Sequence, residues 1–129
     1  MERRQVNPWS WQDRLGYSQA WRVDGPGSTV YVAGQGPVSA DGGLVGDGDF
    51  ETQARQTFAN LRTVLEEAGA SLENVVRLTV YLTDIARLRE YGRIRAEAIP
   101  GRPPAGTAVQ VGALALPGML LEVDAIAVV

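Results

Sequence analysis

Leu120-Leu121-Glu122-Val123-Asp124-Ala125-Ile126-Ala127-Val128-Val129 closes the chain as an apolar run interrupted by two carboxylates. Residues two apart on a strand share a face, so Glu122 and Asp124 project from one side of a strand that is otherwise apolar. Burying a charge is costly unless it is paired or used, which makes this strand the place to expect function. Ahead of it, Pro103-Pro104-Ala105-Gly106-Thr107-Ala108-Val109-Gln110 reads as a second strand, joined through Leu116-Pro117-Gly118. The rest of the chain has to supply a core for these strands and a pocket for the acids.

Working back, Pro100-Gly101-Arg102-Pro103-Pro104 ends a helix that Asp84 caps and that carries Ile85, Leu88, Tyr91, Ile94 or Arg95, and Ala98 along one side. Gly92 sits inside it, where it costs roughly 1 kcal/mol against alanine. The segment from Asn74 to Thr83 alternates as a strand, with Val76, Leu78, Val80 and Leu82 on one face and Arg77, Thr79, Tyr81 and Thr83 on the other. A longer helix starts at Asp49, a good N-cap, and places Phe50, Ala54, Phe58, Leu61, Leu65 and Ala68 on one stripe until Gly69 stops it. Two further strands precede it, Ser18 to Val23 and Thr29 to Ala33, around the turn Asp24-Gly25-Pro26-Gly27. Gly34-Gln35-Gly36-Pro37 after the second strand marks a bulge or a close backbone approach. Residues Val6 to Tyr17 read as a loop in which Trp9 and Trp11 need cover.

The element order, β-β-(β)-α-β-α-β-β, predicts an α+β domain over residues 1–129: a mixed sheet with both helices on one face. The opposite face would carry Arg77, Thr79, Tyr81, Glu122 and Asp124, with Arg77 the expected partner of one acid. Leu120, Ile126 and Val128 mixed into that face predict packing against another copy.

Composition narrows the chemistry. The chain has no Cys and no His, and every basic residue is Arg. Cysteine or Ser–His nucleophiles, lysine Schiff bases and zinc sites of the His/Cys kind are thereby excluded. Asp, Glu, Tyr and backbone-held water remain for proton transfer. Asp41, Asp47 and Asp49 lack the spacing of a calcium loop, so no metal and no cofactor are expected. A net charge of −3 offers no basic surface to nucleic acid. No apolar run is long enough for a membrane span and none follows Met1, which leads to the expectation of a cytoplasmic protein.

Tyr17-Ser18-Gln19-Ala20, Val32-Ala33-Gly34-Gln35-Gly36-Pro37-Val38, Gln53-Ala54-Arg55-Gln56-Thr57, Thr79-Val80-Tyr81-Leu82-Thr83-Asp84, Pro104-Ala105 and Glu122-Val123-Asp124-Ala125-Ile126-Ala127, in that order, resemble the RidA/YjgF family. The resemblance implies a chorismate-mutase-like fold and a homotrimer whose sheets form a central barrel with three clefts between subunits. It also implies hydrolysis of enamines or imines, with an arginine after Pro-Ala gripping the substrate carboxylate and a glutamate of the last strand positioning water. Transferred to this chain, the catalytic positions are Glu122 and Tyr17, and the substrate-binding positions are Ala33, Gly34, Gly92, Gly106 and Thr107. Three of these depart from the family pattern: Ala33 loses a hydroxyl, Gly92 replaces an asparagine and Gly106 replaces the arginine. Arg102 is the candidate to reach into the cleft in its stead. A roomier, less polar cleft for a small molecule is expected, with a non-catalytic ligand-binding or regulatory trimer as the alternative.

Overall fold

The computed structural model describes residues 2–15 and 18–129. Six strands form one sheet: β1 (Glu2–Val6), β2 (Ala20–Asp24), β3 (Ser28–Gln35), β4 (Val75–Leu82), β5 (Ala105–Gln110) and β6 (Leu121–Val128). Two α-helices, α1 (Phe50–Glu67) and α2 (Leu88–Ala98), complete the fold. The strand order is β1-β2-β3-β6-β4-β5, antiparallel throughout except for the parallel pair β4–β5. The two strands of the closing stretch are therefore not neighbours: β6 enters between β3 and β4, and β5 takes the edge beyond β4. The mixed α+β sheet expected from the sequence is present.

Strand β6 alternates as its sequence requires. Leu121, Val123, Ala125 and Ala127 are buried in the core, and Glu122, Asp124 and Ile126 are half-buried on the other side. The helices cover the first face. Phe50, Ala54, Phe58, Leu61, Leu65 and Ala68 of the α1 region are all buried there, joined by Tyr91 and Ile94 of α2. Asp49 caps α1 by accepting from the Thr52 amide at 3.2 Å. Past its end, Gly69 takes a φ of +82°, and the Ala70 amide returns to the Leu65 carbonyl at 2.8 Å, which closes the last turn as glycine in a left-handed position permits.

Four details differ from the sequence reading. Residues Glu2–Val6 form β1, paired with β2 in register Glu2↔Asp24 to Val6↔Ala20, whereas the polar run Glu2-Arg3-Arg4-Gln5 gave no strand signal because this edge is exposed. Strand β4 shifts register between Val75 and Arg77, so Val75 is buried and Val76 is 48% exposed, the reverse of simple alternation. Asp84 caps a 3-10 turn (Ile85–Arg87), not α2 itself, by accepting from the Ala86 amide at 3.0 Å. The tighter winding of that turn breaks the 3.6-residue stripe, and Ile85 and Leu88 end up exposed. Finally, Arg77 does not meet either acid. It donates to the Thr107 hydroxyl at 2.6 Å, and Asp124 instead accepts from the Tyr81 hydroxyl at 2.9 Å, because β5 and not another acid-bearing strand borders that side of β4.

Candidate functional site

The β3–β6 pair builds the floor of the site. Val32 lies across from Ala125 and Gln35 across from Val123, so two residues, Ala33 and Gly34, stand opposite the single Asp124. This is a β-bulge of the kind the Gly34-Gln35-Gly36-Pro37 run announces, and it brings the β3 backbone against the Glu122 side chain. A β-carbon at Gly34 would lie 2.7 Å from Glu122 Cδ, with the carboxylate oxygens at 2.9 and 3.1 Å. Only glycine leaves room for the carboxyl group there.

Over this floor lies a pocket of about 360 Å³, lined by Gly34, Gln35, Gly36, Val38, Asn60, Glu122, Leu116, Met119 and the N-terminal residues Trp9, Trp11, Arg14 and Leu15. Its volume falls at the small end of the range for small-molecule sites, roughly 300–1,000 Å³. Glu122 is the one carboxylate in the lining, and among the described residues it has no hydrogen bond or ion pair. Desolvation, reinforced by the charge of Asp124, raises its pKa above the ordinary glutamate value. The neighbouring acid behaves differently: Asp124 is engaged by Tyr81, and that hydrogen bond is the main reason the tyrosine pKa rises. The two acids of the strand thus divide, one held in a structural contact and one open to a cavity.

Buried amides that the sequence reading left without a role hold the walls. Gln35 donates to Gln19 Oε1 at 2.8 Å and to the Ala33 carbonyl at 3.2 Å, and Gln19 donates to Gln12 Oε1 at 3.0 Å. Gln12 in turn donates to the Trp9 carbonyl at 3.1 Å. This chain ties the tryptophan-bearing segment to the bulge. On α1, Gln53 donates to the carbonyls of Gly118 (2.9 Å) and Gly46 (3.1 Å) and accepts from the Leu120 amide at 2.8 Å. Asn60, two turns on, donates to the carbonyls of Gly36 and Val38 at 2.8 and 2.7 Å. The available signal was the interval of seven between Gln53 and Asn60, which puts both on the apolar side of α1 beside Ala54 and Leu61.

The remaining expected positions lie elsewhere in the protomer. Tyr17 is outside the described residues. Ala33 is in the bulge, half-buried, beside the pocket lining. Gly106 and Thr107 are exposed on β5 and border a shallow depression with Tyr91 and Arg95. Gly92 is half-buried on α2 with open space where a β-carbon would stand. Arg102 is exposed in the loop before β5. One chain brings together Glu122 and Gly34, with Trp9 and Trp11, but not the β5 residues.

The family model for endoribonuclease L-PSP matches residues 11–129. A RutC family protein of Pyrococcus abyssi is 39% identical over 111 residues, covering 86% of this chain and 84% of its own length. Protein MMF1, mitochondrial, of Saccharomyces cerevisiae is 35% identical over 112 residues, 87% of this chain and 74% of that one. Among solved structures, a YjgF/YER057c/UK114 family member from Mycobacterium tuberculosis superposes with a TM-score of 0.84 at 37% identity, over 99% of this chain and all of the other (100%). A Rid family protein of unknown function, YyfA of Yersinia pestis, gives a TM-score of 0.87 at 33% identity, with 99% and 100% covered.

Proposed function

The chain belongs to the endoribonuclease L-PSP (RidA/YjgF) family, and from that premise we propose that it hydrolyses a small imine or enamine in the Glu122 pocket. The observation that carries this reading is the Glu122 carboxyl, without a partner among the described residues, set against Gly34 in a largely apolar cavity and with its pKa raised. A carboxyl poised nearer neutrality can serve both halves of the reaction. In its neutral form it donates a proton to the imine nitrogen, and the resulting carboxylate accepts one from the water that adds to the carbon. Collapse of the carbinolamine breaks the C–N bond and leaves a carbonyl compound and an amine or ammonia. An enamine enters the same route after protonation at carbon.

RNA cleavage fits these residues poorly. The chain has no His and no Lys, and its net charge of −3 works against a polyanion. A cytoplasmic location and a homotrimer belong to the proposal. The trimer is supported by the uncovered sheet face, where Tyr31 (51% exposed) pairs across from Ile126 beside Val128 (47% exposed). It would also give the Gly106 edge of β5 a neighbour. The second reading, a ligand-binding or regulatory trimer without turnover, is favoured by Gly106, which supplies no guanidinium. Imines generated in place from amino acids with differing side chains separate the two: the hydrolase reading expects ammonia release above the spontaneous rate that Glu122→Gln abolishes. Release no faster than in buffer for the whole series contradicts it.

A further inference from the structure

The buried amide chain has a direction. At its far end Gln12 Nε2 donates to the Trp9 carbonyl at 3.1 Å and to Asp13 Oδ1 at 3.3 Å, two groups that only accept. This fixes the Gln12 oxygen toward Gln19 Nε2, at 3.0 Å, and so fixes the Gln19 oxygen toward Gln35 Nε2, at 2.8 Å. The other Gln35 N–H goes to the Ala33 carbonyl at 3.2 Å, inside the bulge. Reversing the Gln35 amide would set oxygen against oxygen at both contacts, so Oε1 is the group left over at the head of the amide chain. Gln12 and Gln19 are 0% exposed and Gln35 is 3% exposed. Among the described residues no donor reaches Gln35 Oε1, yet no sealed side-chain oxygen there is without a partner. That oxygen therefore opens onto free space, and the space that Gln35 lines is the Glu122 pocket.

We propose that Gln35 Oε1 is the acceptor that holds the nitrogen-bound hydrogen of the protonated substrate beside Glu122. The assignment rests on the Glu122 pocket being the reacting site, and it adds a second residue to that site. When Glu122 gives its proton to the imine nitrogen, the new N–H cation needs an acceptor. The carboxylate is needed again at once, for the proton of the water whose oxygen bonds to carbon while the C=N π pair moves to nitrogen. Gln35 takes the first duty and leaves Glu122 the second. An amide whose two N–H groups both donate carries more negative charge on its oxygen, and the amide chain ends on the Asp13 carboxylate. Being neutral, Gln35 favours a cationic nitrogen without placing a second charge in the cavity.

The test uses the intact protein at pH 7 and titration calorimetry, with benzamidinium as a stable mimic of a protonated imine and acetophenone as a flat analogue without N–H. The wild type is expected to bind benzamidinium more tightly than acetophenone by at least about tenfold, the scale of one hydrogen bond to a charged group. Gln35→Met, which has no acceptor, should lose about tenfold in benzamidinium affinity and keep its acetophenone affinity. Gln35→Glu loses the same N–H donors but keeps an acceptor, so it should retain the preference or increase it. Gln19→Met interrupts the amide chain and spares the Gln35 oxygen, and should retain more of the preference than Gln35→Met. A merely structural Gln35 predicts instead that Gln35→Met and Gln35→Glu weaken both probes alike. That result, a preference that survives Gln35→Met, or no binding of benzamidinium by the wild type overturns the assignment. Should Gln35→Met fail to fold, Gln35→Glu decides alone, and loss of the preference there overturns the assignment. Binding needs no turnover. A protein that selects benzamidinium through Gln35 yet hydrolyses no imine supports this assignment and contradicts the hydrolase reading alone.

Discussion

Glu122 on β6 and Gly106 on β5 are separated by a single strand, β4, yet their surroundings are opposite. Glu122 is walled by a bulge, a loop and an N-terminal segment, each fastened by buried amides. Gly106 lies on an edge strand whose burial alternates hardly at all, exposed but for Ala108. One protomer builds a pocket around the acid and leaves the edge open. The pocket that a single chain builds is on the β3–β6 side, and the β5 side offers only a shallow, exposed depression.

The sharpest break of this comparison is paired substitution. Glu122→Gln should lower turnover of a processed imine by about 10² to 10⁴-fold, the usual contribution of a positioned proton donor or acceptor. Gly106→Ala, whose β-carbon would meet the Leu78 carbonyl at an ordinary 3.5 Å, should change turnover by no more than a few-fold. Similar losses from both would erase the distinction. Gly34→Ala comes next. Its methyl group collides with the Glu122 carboxyl, so it should displace that group and abolish most turnover. Because the atoms it meets are the far end of a flexible side chain that can swing aside, stability in denaturant unfolding should stay close to the wild-type value.

Gln35→Leu removes the donor to Gln19 and leaves a buried oxygen unpaired, for a loss of about 1 to 3 kcal/mol. A protease should then cut the Trp9–Leu15 segment sooner than in the wild type. Tyr81→Phe should cost about 1 kcal/mol or less and leave turnover near the wild-type value, because the contact it removes serves Asp124.

The smallest effect expected is on pH-dependent stability. Glu122 has a folded-state pKa above its unfolded one, so the folded state binds more protons between the two values. Its contribution to stability is fully present below the ordinary glutamate pKa and declines as pH rises through the folded value. Against Glu122→Gln, the wild type should lose relative stability over that interval. A relative gain with rising pH would mean that the carboxylate has a partner.

Much of the scaffold was legible because burial imposes a period. The α1 stripe from Phe50 to Ala68, the stop at Gly69 and the alternation of β6 all follow from which side chains must leave water. The bulge at Ala33–Gly34 was legible too, since glycines and a proline after a strand have few other uses. Strand β1 was not: an exposed edge needs only backbone partners, and Glu2-Arg3-Arg4-Gln5 carries no hydrophobic signal. The bulge at Val76 shifted a pattern that alternation alone could not place. At the site, Glu122 and Gly34 were visible as a charged residue in an apolar strand and a glycine at its neighbour's end. Gln12 and Gln19 were not, since their roles arise from contacts between segments whose apposition no local pattern encodes.

Direct titration of the Glu122 side-chain carboxyl carbon by NMR, assigned by its absence in Glu122→Gln, tests the central claim most closely. A carboxyl desolvated in an apolar pocket, with no partner among the described residues, predicts a midpoint above the ordinary 4.5. A midpoint at or below 4.5 would contradict it, showing an ionised, partnered glutamate with no proton to give.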